Sequence, residues 1–504
     1  MRAGKDPYMP VKRRVVYVVV DGMSTTAFEQ AIASGRAPAF SFLRDRARYV
    51  RDSVAVFPTI TPCATASLVT GETPARHRIP GMCWYDRDAQ RFVNYGQSPR
   101  AAVVEGMSQI VRDVIENLNS HHLSPEVRTI HEQLHDRGLT TASINFMLFR
   151  GPFEHELETN LWQKLLFRRH LPETIPGPKE HYFADVVSGP AGGCQKFPKG
   201  RKIEHRIHAT DGWAACVTRE LLEKNAADMI LFYLHENDHM SHKHGPSSQI
   251  DSLEAADEHL AYVLESLGSW ERTAEEVGFV VTSDHSQSPI ADADDHVCDL
   301  GEILDGFSQV TPGRGKERFG DSDVATAGNG RVGFVYLNEA RKDALRRPVV
   351  TALLEHPGTD QVMWVDGETC HVETNRGSLT FREAQGYGAV VDERGNKWEY
   401  EGDLEAVGGV VEEDGIRTPE YPLALWRIMC ALRLDRMGDV VVTPKLTYEY
   451  NDLAGGNHRG GGDHASLHAQ DSLVPFLSTL DDPPLRPSTV DVVPHIVKHF
   501  ESLR

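Results

Sequence analysis

Residues 231–246, LFYLHENDHMSHKHGP, decide how the rest of the chain is read. The apolar run has the character of a strand buried on both faces, and it ends in a burst of acid and imidazole closed by a Gly-Pro turn. Glu236, Asp238, His239, His242 and His244 follow closely, with His235 just before them. A buried strand that releases such ligands into a loop is where an α/β enzyme sets its chemistry. The competing reading is a solvated, histidine-rich surface loop. The choice rests on whether other strand ends supply partners.

Several do. Residues 15–20, VVYVVV, read as a first core strand that ends at Asp21-Gly22. Residues 278–282 read as another, ending in Ser283-Asp284-His285-Ser286. A glycine-rich run, GGGDH, carries His464 just ahead of the core segment at 473–477. A strand near 50–57 leads to PTITP, where Thr61 reads as N-cap, Pro62 as the first helical residue, and 63–70 as a small-residue helix closed by Gly71. Residues 80–125 are expected to lie over the sheet edge, 124–138 to form a helix, and 140–147 a strand. Residues 148–208, rich in Pro, Gly, Arg and His, read as a long insertion. Helices at 211–224 and 247–267 flank the strand at 229–234. Alternating β-branched strands and helices specify an α/β fold with a doubly wound, mainly parallel sheet.

Beyond about residue 305 the pattern becomes α+β. It has a strand at 331–338, a helix at 340–356, the segments QVMWV and LTFRE, and an antiparallel meander at 378–402. The expected organisation is a catalytic core over 13–305, a smaller α+β cap over 306–435, and core completion over 436–504. That completion re-enters at 438–443 and closes with a helix at 488–500.

The net charge of −20 argues against a nucleic-acid polymer as partner, and a small anionic substrate then needs a local positive site such as a metal ion. Seven scattered cysteines without a CxxC are expected to be reduced thiols in a cytoplasmic protein. The basic Lys12-Arg13-Arg14 and the six-residue apolar run after it are too short for a signal peptide, and no segment reaches the roughly 18 apolar residues of a membrane span. No membrane partner is expected, and the oligomeric state is not legible.

The carboxyl ends of doubly wound strands converge on one edge. There Asp21, Asp238, His242, Asp284, His285 and His464 exceed one tetrahedral zinc but suit two ions about 4 Å apart. Chemistry alone does not exclude His235, His239, His244, His458 or His468 as ligands. The run Asp292, Asp294, Asp295 and His296 reads as a solvated acidic loop.

The motifs VVVDGM, FPTITPCATASLVTG, ENDHMSHKHGP, VTSDHS and GDHASLHAQDSLVPF, in this order, resemble the alkaline phosphatase superfamily, in its type I phosphodiesterase/nucleotide pyrophosphatase branch. The resemblance implies two zinc ions, one held by Asp238, His242 and His464, the other by Asp21, Asp284, His285 and the Thr61 hydroxyl. It implies Thr61 as nucleophile, attacking phosphorus in line to form a phosphothreonine that water then hydrolyses. Thr59 precedes the helix start and falls off the family register. A sulfatase is disfavoured because Cys63 follows Pro62 with no Arg in register. The branch places an Asn 21 positions after the nucleophile to hold a phosphoryl oxygen, and here that position is Met82. Trp84 and Tyr85 are candidates to stack on a base or aryl leaving group, against the alternative of buried aromatics at a domain seam. The expected activity is hydrolysis of a small phosphodiester or pyrophosphate, nucleotide-like. A phosphomonoesterase or phosphonate hydrolase is the alternative, and a catalytically silent, metal-stabilised scaffold is the reading from another class.

Overall fold

The computed structural model describes residues 12–158, 171–183, 186–190, 194, 210–313, 318–384, 389–413, 415–452 and 455–504. Seven strands form the main sheet: β1 (Arg14–Val20), β2 (Arg48–Val54), β3 (Thr141–Ile144), β4 (Glu180–Tyr182), β5 (Met229–Leu234), β6 (Val277–Thr282) and β7 (Leu473–Ser478). Their spatial order is β2-β7-β6-β1-β5-β3-β4. All neighbours from β6 to β4 run parallel, and only β7 is reversed, antiparallel to both β6 and β2.

The valine run of β1 is buried because both faces are covered. Val15, Tyr17 and Val19 join the cluster containing α1 (Thr61–Thr70) and the closing helix Val492–Glu501. Val16, Val18 and Val20 join the opposite cluster, with α2 (Asp211–Glu223) and α4 (Gln249–Leu264). The period-2 alternation of a strand thus feeds two helical layers. Register sets the level of the site: Val19 lies beside Thr282 and Val20 beside Leu234, so β1, β5 and β6 end together.

A second, eight-stranded antiparallel sheet holds Val324–Gly328, Gly333–Leu337, Val440–Pro444, Thr359–Asp366, Thr369–Thr374, Gly377–Glu383, Lys397–Gly402 and Val390–Val391, in that spatial order. The helix Lys342–Glu355 covers it through Val349, Val350 and Leu353.

Several expectations are corrected. Residues 236–244 form a helix, α3 (Glu236–His244), not a loop. The Asp211 carboxylate accepts from the backbone N–H of His235 and Glu236 (2.9 and 3.3 Å), which caps the first turn. Acidic residues in that turn and His242, Lys243 and His244 in the last suit the helix dipole. The strand at 440–444 does not rejoin the main sheet but sits inside the second one, between Gly333–Leu337 and Thr359–Asp366. The helix expected from 124 covers only Ile130–His135, because the Thr129/Glu132 capping box fixes the start there. Part of the 148–208 insertion belongs to the core, since β4 pairs with β3; residues 159–170 and 195–208 lie outside the described residues. Ile60, not Thr61, is the N-cap of α1, and Thr61 is its first residue. Cys194 and Cys216 form a disulfide, so the expectation of seven reduced thiols fails for these two; the remaining five are buried and free.

Candidate active site

The site stands where β1, β5 and β6 end. Asp21 directly follows β1, Asp284 and His285 follow β6 after Ser283, and α3 presents Asp238 and His242 one turn apart. Gly22, at φ 66°, allows the close approach, for a Cβ there would lie 2.9 Å from Asp238 Oδ1. Thr61 Oγ1 lies 3.1 Å from His285 Nε2. The same nitrogen lies 3.4 Å from Asp21 Oδ1 and 3.5 Å from Asp284 Oδ2. On the other side, Asp238 Oδ2 lies 3.3 Å from His242 Nε2, and Asp238 Oδ1 lies 3.7 Å from His464 Nε2. The His285 and His464 rings stack with centroids 3.5 Å apart and join the two halves. All seven residues singled out for metal and nucleophile in the sequence therefore gather in one cluster.

The three imidazoles and the Asp21 and Asp284 carboxylates each have one polar atom committed and another turned inward. The three imidazoles donate Nδ1–H to backbone carbonyls: His464 to Thr59 O (2.7 Å), His242 to Gly462 O (2.8 Å) and His285 to Ser286 O (3.1 Å). A carbonyl only accepts, so Nδ1 carries a proton and Nε2 is the nitrogen left facing the cluster. Tyr233 donates to Asp21 Oδ2, leaving Oδ1 buried without a hydrogen-bond partner. The N–H groups of Gly22 (3.3 Å) and His285 (3.0 Å) donate to Asp284 Oδ1, leaving Oδ2 likewise. Gln287 donates to Asp238 Oδ1. A donor set with outer groups fixing tautomer and orientation, and bare N and O atoms facing inward, fits divalent metal ions.

The electrostatics point the same way. Burial raises Asp21 well above the ordinary carboxylate range, and the charges of Asp284 and Asp238 add to it. Burial also raises Asp284, against the opposing pull of His285. Burial works to raise Asp238 too, but its pairing with His242 holds it below its usual value. Burial, with the neighbouring His285, depresses His464 to about 3, so it is neutral and a ligand at neutral pH. Among the described residues no Lys or Arg pairs with Asp21, Asp238 or Asp284. Carboxylates collected in a buried space without a cation are costly, and a dication removes that cost.

Of the other histidines among the described residues, only His458 borders the cluster, where with His242 and Asp463 it forms a further group of possible ligands. His235 pairs with Asp211 (3.1 Å), His239 and His244 are exposed, and His468 caps the short helix Ala469–Ser472. His458 stacks on His242 (centroids 4.3 Å) and lies between Glu449 (2.9 Å) and Asp463 (3.6 Å). Asp292 and Asp294 pair with Arg459, and His296 stacks on Tyr448. Thr59 is fully buried.

The candidate substrate contacts are corrected. Met82 packs against the core, and its N–H donates to Asn329 Oδ1 (2.9 Å). Trp84 is fully buried, edge-on to His122 with Arg436 over its ring. Tyr85 is enclosed by Phe92, Phe319 and Tyr336. These aromatics are the core of the hairpin Cys83–Asp86/Arg91–Asn94 and offer no face to a base. Tyr233 and Gln287 were not singled out in the sequence. Their signals are a hydroxyl at the end of an otherwise apolar strand, and an amide two residues past His285.

The model of the type I phosphodiesterase/nucleotide pyrophosphatase family matches residues 15–466. Murine ectonucleotide pyrophosphatase/phosphodiesterase 5 superposes with a TM-score of 0.53 at 15% identity, covering 96% of this chain and 95% of that one. Its inactive Thr-to-Ala variant, in complex with AMP, gives the same TM-score and identity over 97% and 95%. Phosphonoacetate hydrolase from Sinorhizobium meliloti, in complex with phosphonoformate, superposes at 0.53 with 17% identity over 97% of both chains. No protein of curated function matches the sequence. The fold is an alkaline-phosphatase-like α/β fold.

Proposed function

This chain belongs to the type I phosphodiesterase/nucleotide pyrophosphatase family, whose members hydrolyse phosphoric ester bonds, and we propose that it cleaves a small phosphodiester or pyrophosphate through a phosphothreonine at Thr61. The observation that carries this reading is the Thr61 hydroxyl, 3.1 Å from His285 Nε2 at the opening of α1, inside the cluster of inward-facing donors.

Asp238, His242 and His464 would hold one divalent ion. Asp21, Asp284, His285 and the Thr61 oxygen would hold a second, with zinc the metal that suits this imidazole-carboxylate set. When bound, such ions supply Lewis-acid stabilisation of charge on the phosphoryl oxygens and favour the alkoxide of a coordinated hydroxyl. The protein supplies the rest. Thr61 sits in the first turn of a ten-residue helix, whose positive end favours an incoming phosphoryl group. Its oxygen forms a bond to phosphorus while the bond to the leaving oxygen breaks in line. Water then attacks the phosphothreonine, releasing phosphate or phosphate monoester and restoring the hydroxyl. The buried Asp21, Asp284 and His285 exclude bulk water around that oxygen.

The nucleotide-like substrate class draws support from the AMP complex of the murine neighbour. Phosphonate hydrolysis is the second reading. It is favoured by the Met82 position, where the expected amide for a phosphoryl oxygen is replaced by a side chain packed into the core, and by the phosphonoacetate hydrolase neighbour. Thr61→Ala and wild type are compared on a bis-aryl phosphate, a mono-aryl phosphate and a phosphonate, with metal content measured in both. The variant is expected to keep its metal and lose turnover. Turnover equal to wild type would remove Thr61 from the reaction, and a folded, untreated protein without metal would remove the dinuclear centre.

A further inference from the structure

Thr59 lies two residues before the proposed nucleophile, and all of its polar atoms are spent on residues 464–466. Its carbonyl accepts from His464 Nδ1 (2.7 Å). Its N–H donates to Ala465 O (3.3 Å). Its hydroxyl accepts from Ala465 N–H (3.1 Å) and donates to Ser466 O (2.8 Å). Ala465 has φ 111°, a backbone conformation that L-residues rarely adopt, and it directly follows the proposed ligand His464. A strained residue persists only where its surroundings over-determine it. The opposite side is fixed as well: Arg331 N–H donates to His464 O (2.9 Å), and Ser466 N–H donates to Asp471 (3.0 Å).

We infer that Thr59 is a positioning residue whose hydroxyl locks the strained Ala465 and thereby sets the placement of His464 relative to Thr61, while its carbonyl holds the Nδ1–H of the same imidazole. The role extends the reading of Asp238, His242 and His464 as a metal set and rests on it. Without the hydroxyl, Ala465 N–H and Ser466 O lose their buried partner, the strained turn is held by its bonds to Arg331, Asp471 and the Thr59 N–H, and the imidazole shifts against the Thr59 carbonyl. The hydroxyl acts one bond further out than the carbonyl that holds His464, so its loss falls at the lower, about ten-fold, end of the range seen when a ligand's own outer hydrogen bond is removed.

The test uses the full chain. Thr59→Val keeps the branched shape and drops the hydroxyl, and Thr59→Ser keeps the hydroxyl and drops a methyl. Zn2+ affinity is read by chelator competition and the ligand field by the absorption spectrum of the Co2+-substituted protein, alongside kcat and KM on an aryl phosphodiester. Thr59→Val is expected to bind Zn2+ about ten-fold more weakly, with a changed cobalt spectrum and a fall in kcat larger than any change in KM. Thr59→Ser is expected to restore affinity and spectrum. Wild type without bound metal refutes the metal reading itself. Wild type that binds metal beside a Thr59→Val protein of unchanged affinity and spectrum refutes only the role of Thr59. A Thr59→Val chain that does not fold, with or without a folding Thr59→Ser, assigns the hydroxyl to the fold and overturns the inference as well.

Discussion

Arg331→Met should destabilise the protein by about 4 kcal/mol, because it strands a buried carboxylate. Arg331 lies in the turn between Val324–Gly328 and Gly333–Leu337 and reaches out of the second sheet to Asp471, on the segment before β7. Both side chains are 0% exposed, and Nε lies 2.9 Å from Asp471 Oδ2. Breaking a buried ion pair from one side costs about 3–5 kcal/mol, far more than an exposed pair would. Asp471 keeps donors from Ser288 and from the hydroxyl and N–H of Ser466, which favours the lower end of that range. The carbonyls of Lys445 (3.1 Å) and Tyr448 (2.9 Å) lose their donor, which pushes the total back up. Urea unfolding at neutral pH is the assay, and a midpoint lower by about 1 M or somewhat less is expected, since the denaturant slope of a chain this long exceeds that of a small protein. The double variant Arg331→Met/Asp471→Leu should recover only the part due to the charge left alone, because Ser288, Ser466 and the carbonyls of Lys445 and Tyr448 then lose their buried partners. A single variant within about 1 kcal/mol of wild type would refute the assignment of the pair as buried and desolvated.

Three further outcomes follow from the site and its surroundings. Tyr233→Phe leaves Asp21 with burial and two neighbouring carboxylates raising its pKa and removes the bond that opposes them, so Zn2+ affinity should fall about ten-fold, and more at about pH 5.5 than at about pH 7.5; a pH-independent change would contradict this. Burial holds His77 down to about 3, below its unfolded value of about 6.5, so the folded state binds fewer protons and stability falls as pH drops below about 6.5. His77→Gln should therefore remove about 2 kcal/mol of the loss between about pH 7 and pH 5, and a difference from wild type that is the same at both pH values would show that His77 does not titrate as a buried group. Zn2+ at about 100 times its Kd should stabilise chelated protein by about 2.7 kcal/mol, and an unshifted unfolding curve speaks against a native-state metal site.

What was legible in the sequence follows from which physical rules act locally. The valine runs of β1 and β6 announced strands buried on both faces, and the ionisable residues just after them, Asp21 and Asp284-His285, marked the edge where they end. The helical state of 236–244 was hidden because its inward contacts are polar. Asn237 reaches Asp21 O (2.7 Å), and Ser241 is buried, so no apolar stripe signals the period. The strand Val440–Pro444 carries the same valine signature as the core strands, which reports burial and not which sheet receives it. Trp84 and Tyr85 alternate in a hairpin whose partner strand carries Phe92 opposite Tyr85, and only the three-dimensional packing on His122 and Tyr336 shows both to be interior. The disulfide joins residues 22 apart with no motif between them, and cysteine spacing alone did not reveal it.

The central claim is that the Thr61 oxygen attacks phosphorus. Rapid acid quench of the metal-loaded enzyme with an aryl phosphodiester or phosphonate, followed by peptide mass spectrometry, addresses it directly. The account predicts a phosphoryl adduct on the peptide containing Thr61 that forms within one turnover and decays with product release, and none in Thr61→Ala. A Thr61→Ala enzyme that still turns over, or an adduct mapped to another residue, would contradict it.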